Sequence, residues 1–336
     1  MTDTMKTLHH PRRRAAVAAI GAALGLLLAP ASWAAGPASN APIKLVVPFA
    51  AGGGTDGVAR AVAQVLSEKL GQTVIVDNRP GAGGSIGTLA VVQAPADGLT
   101  LLLGSNGTMV LNPALYPNLK YKVDRDLVPV GGIASLPYLI AANPKFPGND
   151  IKGLLATAKT RTVTFASPGN GTTNHLVGVL LESLASVQMT HVPYRGAAPA
   201  MNDVISGQVD FLSGDLGTLL PQVQAGKLKP LAVTGAKRIA LLPKVPTVAE
   251  QGLAGFDASG WFGVFAPRGT PAAVVDRLAP QIQAAVADPR VTQRLHDLGA
   301  SAMPLMPDQL KSLVGTETAK WHKVITDNKV TADALQ

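Results

Sequence analysis

Apolar residues fall in short blocks along this chain, and the blocks alternate between two periods. Ile43-Lys44-Leu45-Val46-Val47-Pro48-Phe49 is a near-continuous apolar run of the length and composition of a buried strand. Thr55 to Leu70 then spaces its apolar positions as a helix does and ends at Gly71. The alternation continues with a strand over Thr73–Asp77, a helix over Ser85–Gln93 and a strand over Leu99–Leu103. Strands alternating with helices of about 10–15 residues predict parallel α/β layers. Leu127 to Ala142 is apolar and extended, broken by Gly131-Gly132 and Pro137, and long enough to leave one domain and enter another.

A second set follows. Helices are predicted over Ile151–Lys159, Thr172–Leu184, Ala198–Ile205 and Thr218–Ala225, and strands over Thr162–Ala166, Met189–Val192, Gln208–Leu212 and Leu228–Val233. Trp261-Phe262-Gly263-Val264-Phe265-Ala266 is again a dense apolar strand, before helical stretches at Pro271–Ala287, Arg290–Leu298 and Pro307–Asn328. Two long apolar connections bracket the middle block. The expected architecture is α/β with two lobes, 41–137 with 258–336 and 138–257, crossed twice by the chain around a cleft that a hinge opens and closes.

The first segment stands apart from this pattern. Arg12-Arg13-Arg14 precedes an apolar stretch from Ala15 to Leu28, and Ser32-Trp33-Ala34 supplies small residues at a cleavage position. Residues 1–34 therefore read as a secretory signal peptide cut after Ala34, with a periplasmic destination. The arginine run would suit a twin-arginine route, but Ala15-Ala16 replaces the usual apolar pair after it. The apolar core is shorter than the ~20 residues of a membrane anchor. The chain has no cysteine, which excludes disulfides and thiolate metal sites. Of 29 Lys/Arg and 21 Asp/Glu, the leader removes four and one, leaving 25 against 20 and a balance of +5. With only 4% aromatic residues and no basic stripe, nucleic acid is not an expected partner.

Three glycine-rich turns carry candidate chemistry. Gly52 to Gly57 reads G-x-G-x-x-G between a strand and a helix, where backbone N–H groups and the helix dipole suit an anion. Asp77 even stands where a dinucleotide fold places its ribose ligand. Against a dinucleotide, Asp56 lies in the first helical turn, where it would repel a pyrophosphate, and Pro48-Phe49 occupies the strand exit. Gly83-Gly84-Ser85-Ile86-Gly87 satisfies the G-x-S-x-G pattern of a nucleophile elbow. Pro80 and several loop residues separate Ser85 from its strand, so Ser85 reads instead as a helix N-cap; a secreted α/β hydrolase using Ser85 is the alternative. The third turn, Ser167-Pro168-Gly169-Asn170-Gly171-Thr172-Thr173-Asn174-His175, opens a helix in the other lobe. Ordinary capping by Thr172 or Thr173 explains it equally well from the residues alone. His175 and His191 lack the spacing of metal ligands, and no metal or cofactor is expected. Tyr194 or Arg195 is expected at the cleft rim. Asp210 and Asp215 flank a strand end as caps or a counter-charge for a ligand amine.

Pro48-Phe49-Ala50-Ala51-Gly52-Gly53-Gly54-Thr55-Asp56 with Ala59-Arg60 resembles the first-loop signature of the tripartite tricarboxylate receptors, the Bug family of extracytoplasmic solute receptors. Similarity continues through Asn78-Arg79-Pro80-Gly81-Ala82-Gly83-Gly84, Ala96-Asp97-Gly98-Leu99-Thr100, His191-Val192-Pro193-Tyr194-Arg195-Gly196 and Gly207-Gln208-Val209-Asp210. It goes on with Leu231-Ala232-Val233-Thr234, Leu242-Pro243-Lys244-Val245-Pro246-Thr247 and Trp261-Phe262-Gly263-Val264-Phe265-Ala266-Pro267. The resemblance implies a two-lobe, type II-like periplasmic binding protein with two crossover strands. It implies a non-enzymatic, monomeric receptor for a small organic carboxylate (a di- or tricarboxylate, an acidic amino acid or an aromatic acid). The partner would be the membrane components of a tripartite tricarboxylate transporter, or alternatively a sensor protein. Ligand contacts are then expected at Phe49, Gly53, Gly54, Thr55, Asp56, Ser105 and Asn106 from one lobe. The other lobe would supply Ser167, Gly169, Asn170, Gly171, Thr172, Thr173, His175 and Asp215. The chain departs from the family in placing Thr172-Thr173 after Gly171, where relatives often carry Ser; the bulkier hydroxyl residues would narrow the pocket.

Overall fold

In the computed structural model, Thr2 and residues 41–332 are described. The expected leader, Thr2 aside, and its cleavage position lie outside them. The first stretch gives β1 (Ile43–Val47), α1 (Gly54–Leu70), β2 (Val74–Asn78), α2 (Ser85–Val92) and β3 (Thr100–Ser105). Short helices α3 (Asn112–Leu115) and α4 (Val123–Asp126) lead to β4 (Leu127–Leu136), which runs on into β5 (Tyr138–Ala142). The middle stretch holds α5 (Ile151–Ala158), β6 (Thr164–Ser167), α6 (Thr173–Ala185) and β7 (Thr190–Pro193). It continues with α7 (Ala197–Ser206), β8 (Phe211–Asp215), α8 (Leu216–Gln224) and β9 (Lys229–Val233). The chain returns through β10 (Gly260–Pro267), α9 (Ala272–Val286), α10 (Pro289–Asp297), β11 (Ser301–Ala302) and α11 (Pro307–Asp327).

These strands build two sheets, ordered β11-β4-β10-β3-β1-β2 and β7-β6-β8-β5-β9. In the first, period-2 alternation sorts side chains to two faces. Ile43, Leu45, Val47, Leu101, Leu103, Phe262 and Val264 pack with Val58, Val62 and Leu66 of α1 and with Leu278 and Ile282 of α9. Val46, Leu102, Trp261 and Phe265 join the opposite cluster, with Met109, Leu310 and Trp321. Burial on both faces is why these strands read as continuous apolar runs rather than alternating ones.

The alternating strand–helix units pair in parallel, as expected, but the crossing strands do not. β1 lies parallel to β2 and β3, and β6 lies parallel to β7 and β8. β10, however, is antiparallel to both β3 and β4, and β5 is antiparallel to β8 and β9. Strand–helix–strand units impose parallel pairing only where a helix returns the chain to the same sheet. β4, β5 and β10 come from chain that crosses between sheets, so that constraint is absent.

The two crossings meet. Tyr138 N–H donates to Thr234 Oγ1 at 2.8 Å, Thr234 N–H donates to the Tyr138 carbonyl at 2.9 Å, and Ala258 N–H to the Thr234 carbonyl at 3.0 Å. Leu136 pairs with Gly260 on one side of this junction and Leu139 with Val233 on the other. Helix α11 spans the same boundary: Trp321, Val324 and Ile325 share a core cluster with Leu176, Val177 and Leu180 of α6. Among the described residues no helix is long and apolar enough to cross a membrane.

Candidate functional site

The loops of interest all follow the carboxyl ends of parallel strands, where open α/β sheets place their ligands. The first loop leaves β1 and enters α1 through Gly53, and no side chain caps that helix. The N–H groups of Gly54, Thr55 and Asp56 meet no protein acceptor, and Gly53 and Gly54 are exposed. Asp56 itself is 4% exposed and faces into its own loop. One oxygen accepts from Gly52 N–H at 2.9 Å and from Arg60 Nε at 2.9 Å; the other accepts from Asn78 Nδ2 at 3.0 Å. Arg60, above all, holds its carboxyl down at about 2, with Gly52 and Asn78 adding to the effect against the cost of burial. Asn78 Nδ2 also donates to the Phe49 carbonyl at 3.1 Å. The acidic residue therefore shapes the glycine loop, and the helix end stays electropositive.

The G-x-S-x-G turn is a packing device. A Cβ at Gly84 would stand 2.6 Å from Thr108 Cγ2 and 3.4 Å from the Phe49 ring, and one at Gly87 2.7 Å from the Arg79 carbonyl and 2.8 Å from Pro48 Cα. The glycines thus let this turn press against the first loop. Ser85 is not the N-cap; Gly84 is, and no side chain caps the helix. Ser85 has relaxed helical backbone angles, φ −67° and ψ −31°, unlike the strained residue of an elbow. Its hydroxyl pairs with Asn112 Nδ2 at 3.3 Å. After β3, the Ser105 hydroxyl is engaged with Thr108 Oγ1 at 3.2 Å, while the Asn106 side chain is buried with neither its nitrogen nor its oxygen bonded.

The third turn closes on itself. Ser167 Oγ donates to the Gly169 carbonyl at 2.9 Å and lies 2.7 Å from His191 Nε2. Gly171 N–H donates to His175 Nδ1 at 3.1 Å, and the His175 and His191 rings stack with centroids 3.8 Å apart. Thr172 caps α6 by accepting from His175 N–H, so the capping alternative holds for that residue. Asn170 is half-buried. Thr173 comes within hydrogen-bonding reach of the Tyr138 hydroxyl, partly offsetting the burial and the nearby Asp215 charge that push that phenol up. Asp215 is solvent-accessible, yet the protein around it raises its carboxyl above the ordinary range. Asp215 lines a small cavity together with Ser167, Asn174 and Ser213. Asp210 is occupied elsewhere, paired with Arg161 at 2.7 Å.

Phe49 to Asp56 and Ser105-Asn106 thus lie at the ends of adjacent strands β1 and β3. Ser167 and Asp215 end adjacent strands β6 and β8, and Asp215 pairs with Tyr138 across the ladder. Sequence reasoning missed Asn78, Tyr138 and Trp261. Asn78 was quoted in a motif but its reach to the loop is tertiary. Tyr138 and Trp261 looked like strand core. Tyr194 is engaged with Asp203 Oδ2 at 2.6 Å, which ties it to α7. Among the described residues no cluster of three His, Cys, Asp or Glu could hold a metal ion.

Residues 58–330 match the family described as the tripartite tricarboxylate transporter family receptor. Three solved structures are similar across nearly their whole length. The periplasmic binding protein BugD shares 38% identity at a TM-score of 0.71, covering 87% of this chain and 99% of its own. Rpa4515 of R. palustris, solved with adipate, shares 35% at 0.74, with 86% and 98% covered. MatC from Rhodopseudomonas palustris, solved with bound malate, shares 36% at 0.70, with 84% and 98% covered. The two sheets, the double crossing and the open helix end are accordingly those of a two-lobe periplasmic solute-binding receptor, not an enzyme, and the chain belongs to the tripartite tricarboxylate transporter receptor family.

Proposed function

We propose that this receptor closes on a small organic carboxylate held between residues 41–137 with 258–336 and residues 138–257. It would then deliver that ligand, as a monomer, to the membrane components of a tripartite tricarboxylate transporter. The observation that carries the reading is the uncapped start of α1. Gly54, Thr55 and Asp56 direct unsatisfied N–H groups at the end of a 17-residue helix, while the one nearby anion is neutralised by Arg60 and Asn78. Charge-assisted bonds to fixed donors are strong in a site that closes away from water.

The opposite lobe contributes less than its glycines suggest. The amides of Gly169 and Gly171 are taken by Ser167 and His175. Thr173 and Asp215 are the residues that face the ligand in this reading, with Asn170 half-buried beside them, and Ser167, Gly169, Gly171, Thr172 and His175 hold their frame. Relatives solved with adipate and with malate support the class of ligand. Closure follows if the ligand touches both lobes at once, because it then favours the closed state by its differential affinity.

Thermal denaturation with a panel of mono-, di-, tri- and aromatic carboxylates tests this. A ligand at 100 times its dissociation constant adds roughly 2.7 kcal/mol of stability. No stabilisation by any carboxylate would overturn the reading. Loss of carboxylate uptake from cells lacking this chain, restored by its return, tests delivery to the transporter.

A further inference from the structure

Among the described residues, the buried side-chain polar atoms without a hydrogen-bond partner are Asn106 Nδ2, Asn106 Oδ1 and Trp261 Nε1. Asn106 is 2% exposed and Trp261 3%. Orphans of this kind are rare in native folds, and each calls for water or a ligand. The other tryptophan of the described chain is satisfied, with Trp321 Nε1 donating to Glu317 at 2.9 Å.

The two orphaned side chains each sit one residue beyond the same ladder pair. β10 runs antiparallel to β3 with Phe262 opposite Ser105; Trp261 precedes Phe262, and Asn106 follows Ser105 as the first residue of a helical turn (φ −48°, ψ −43°). The next residue, Gly260, lies against the Tyr138 hydroxyl, which a Cβ there would meet at 2.9 Å. Tyr138 in turn stands opposite Asp215. A polar seam therefore runs from the end of β3 across the crossing strands to Asp215.

We propose that Asn106 and Trp261 form a subsite for an uncharged ligand end group that carries a donor and an acceptor side by side. This rests on the carboxylate reading above and names the ligand's other end as a carboxamide or an un-ionised carboxylic acid. The Asn106 amide forms a two-bond ring with such a group, donating from Nδ2 and accepting at Oδ1. Trp261 Nε1–H donates to the second lone pair of the same ligand carbonyl. An ionised carboxylate fits worse. It has no proton for Asn106 Oδ1, and no Lys or Arg hydrogen-bonds to either residue. At the neighbouring strand ends Arg60 is paired with Asp56 and Arg79 with Asp77, and Asp215 adds an acidic group to the seam.

Isothermal titration near neutral pH compares succinate, glutarate and adipate with their half-amides succinamate, glutaramate and adipamate. At least one half-amide is expected to bind ~10-fold tighter than its parent dicarboxylate, the worth of about one satisfied buried bond. Trp261→Phe and Asn106→Leu should each shrink that ratio ~10-fold, and the half-amide should perturb tryptophan fluorescence in the wild type but not in Trp261→Phe. If Trp261→Phe does not fold, the wild-type ligand pairs and Asn106→Leu decide. Dicarboxylates binding as tightly as half-amides, or an unchanged ratio in the variants, overturns the subsite and assigns the orphans to buried water. Absence of any carboxylate binding would instead bring down the receptor reading on which it rests.

Discussion

Asn78 at the end of β2 holds Asp56 in the first turn of α1, donating from Nδ2 to Oδ1 at 3.0 Å across 22 residues of chain. The same nitrogen reaches the Phe49 carbonyl, so one side chain ties both ends of the glycine loop to the sheet. Asp56 and Asn78 thereby turn a flexible glycine run into a fixed set of donors. Fixed donors lose less entropy on binding than mobile ones.

Replacing Asp56 by Ala leaves Gly52 N–H and Arg60 Nε without their acceptor and removes one of the two bonds from Asn78 Nδ2. Hydrogen bonds to a charged group are worth about 1.5–3 kcal/mol, so a loss of about 2 kcal/mol is expected. Asp56 titrates at about 2 in the fold against an ordinary 3.8, so its ionised form favours folding. That contribution is complete above the ordinary value and is lost as pH falls toward about 2. Urea melts of wild type and variant should differ constantly at neutral pH and converge under strong acid.

Asp215 carries the opposite sign. Although Asp215 is solvent-accessible, desolvation by the protein around it raises its carboxyl, so ionisation opposes folding, and stability falls as pH rises through the folded value. Asp215→Asn is expected to stabilise the ligand-free protein at neutral pH, with the gain vanishing well below the ordinary carboxyl range. Removing an anion from the cleft should also tighten binding of dicarboxylates. Melting curves at neutral and strongly acidic pH, with titration calorimetry, check both halves.

Gly87 sits where the second glycine turn meets Pro48. A Cβ there meets backbone at 2.7 and 2.8 Å, and backbone cannot swing aside as a side-chain tip does. Gly87→Ala should cost about 1–3 kcal/mol, the usual range for overpacking, and weaken ligand binding by displacing the first loop. Ser85→Ala, two residues away, removes a single 3.3 Å contact from Asn112, and Asn112 keeps its 3.0 Å bond to the Gly83 carbonyl. It should leave carboxylate-induced stabilisation intact.

Gly260 and Tyr138 mark the junction of the two crossings. Gly260→Ala brings a methyl group to 2.9 Å from the Tyr138 hydroxyl, whereas Tyr138→Phe removes that hydroxyl. The two substitutions should couple, with the double variant more stable than the sum of the singles predicts. Contacting residues typically show 0.5–3 kcal/mol of such coupling (about 1 is expected here). A double-mutant cycle on chemical melts checks it, and X-ray scattering with and without ligand reads whether the hinge equilibrium moves.

The elements were legible because their patterns are local. β1, α1 and β10 announce themselves by apolar runs, helical spacing and a terminal glycine. The helical turn at Gly107–Leu115, between β3 and α4, was not legible. It is short and apolar, and helix and buried strand look alike at that length. The two-residue β11 had no pattern to show. The antiparallel direction of β5 and β10 was not legible, since pairing with a distant strand leaves no local trace.

The site divided in the same way. By itself the sequence determined where backbone donors would cluster, because glycine runs between a strand and a helix leave N–H groups free whatever the fold around them. Only the tertiary structure decided which donors remain available. Gly52 to Asp56 keep an open helix end because Arg60 and Asn78 absorb the Asp56 charge, while Gly169 and Gly171 spend their amides on Ser167 and His175. The third turn resembles the first in sequence but closes its amides within itself. The acceptors of Gly169 and Gly171 lie only two and four residues away, but which side chain turns onto which amide is set by packing such as the His175–His191 stack and by distant partners such as Asn78, 22 residues from Asp56, and only folding brings those together.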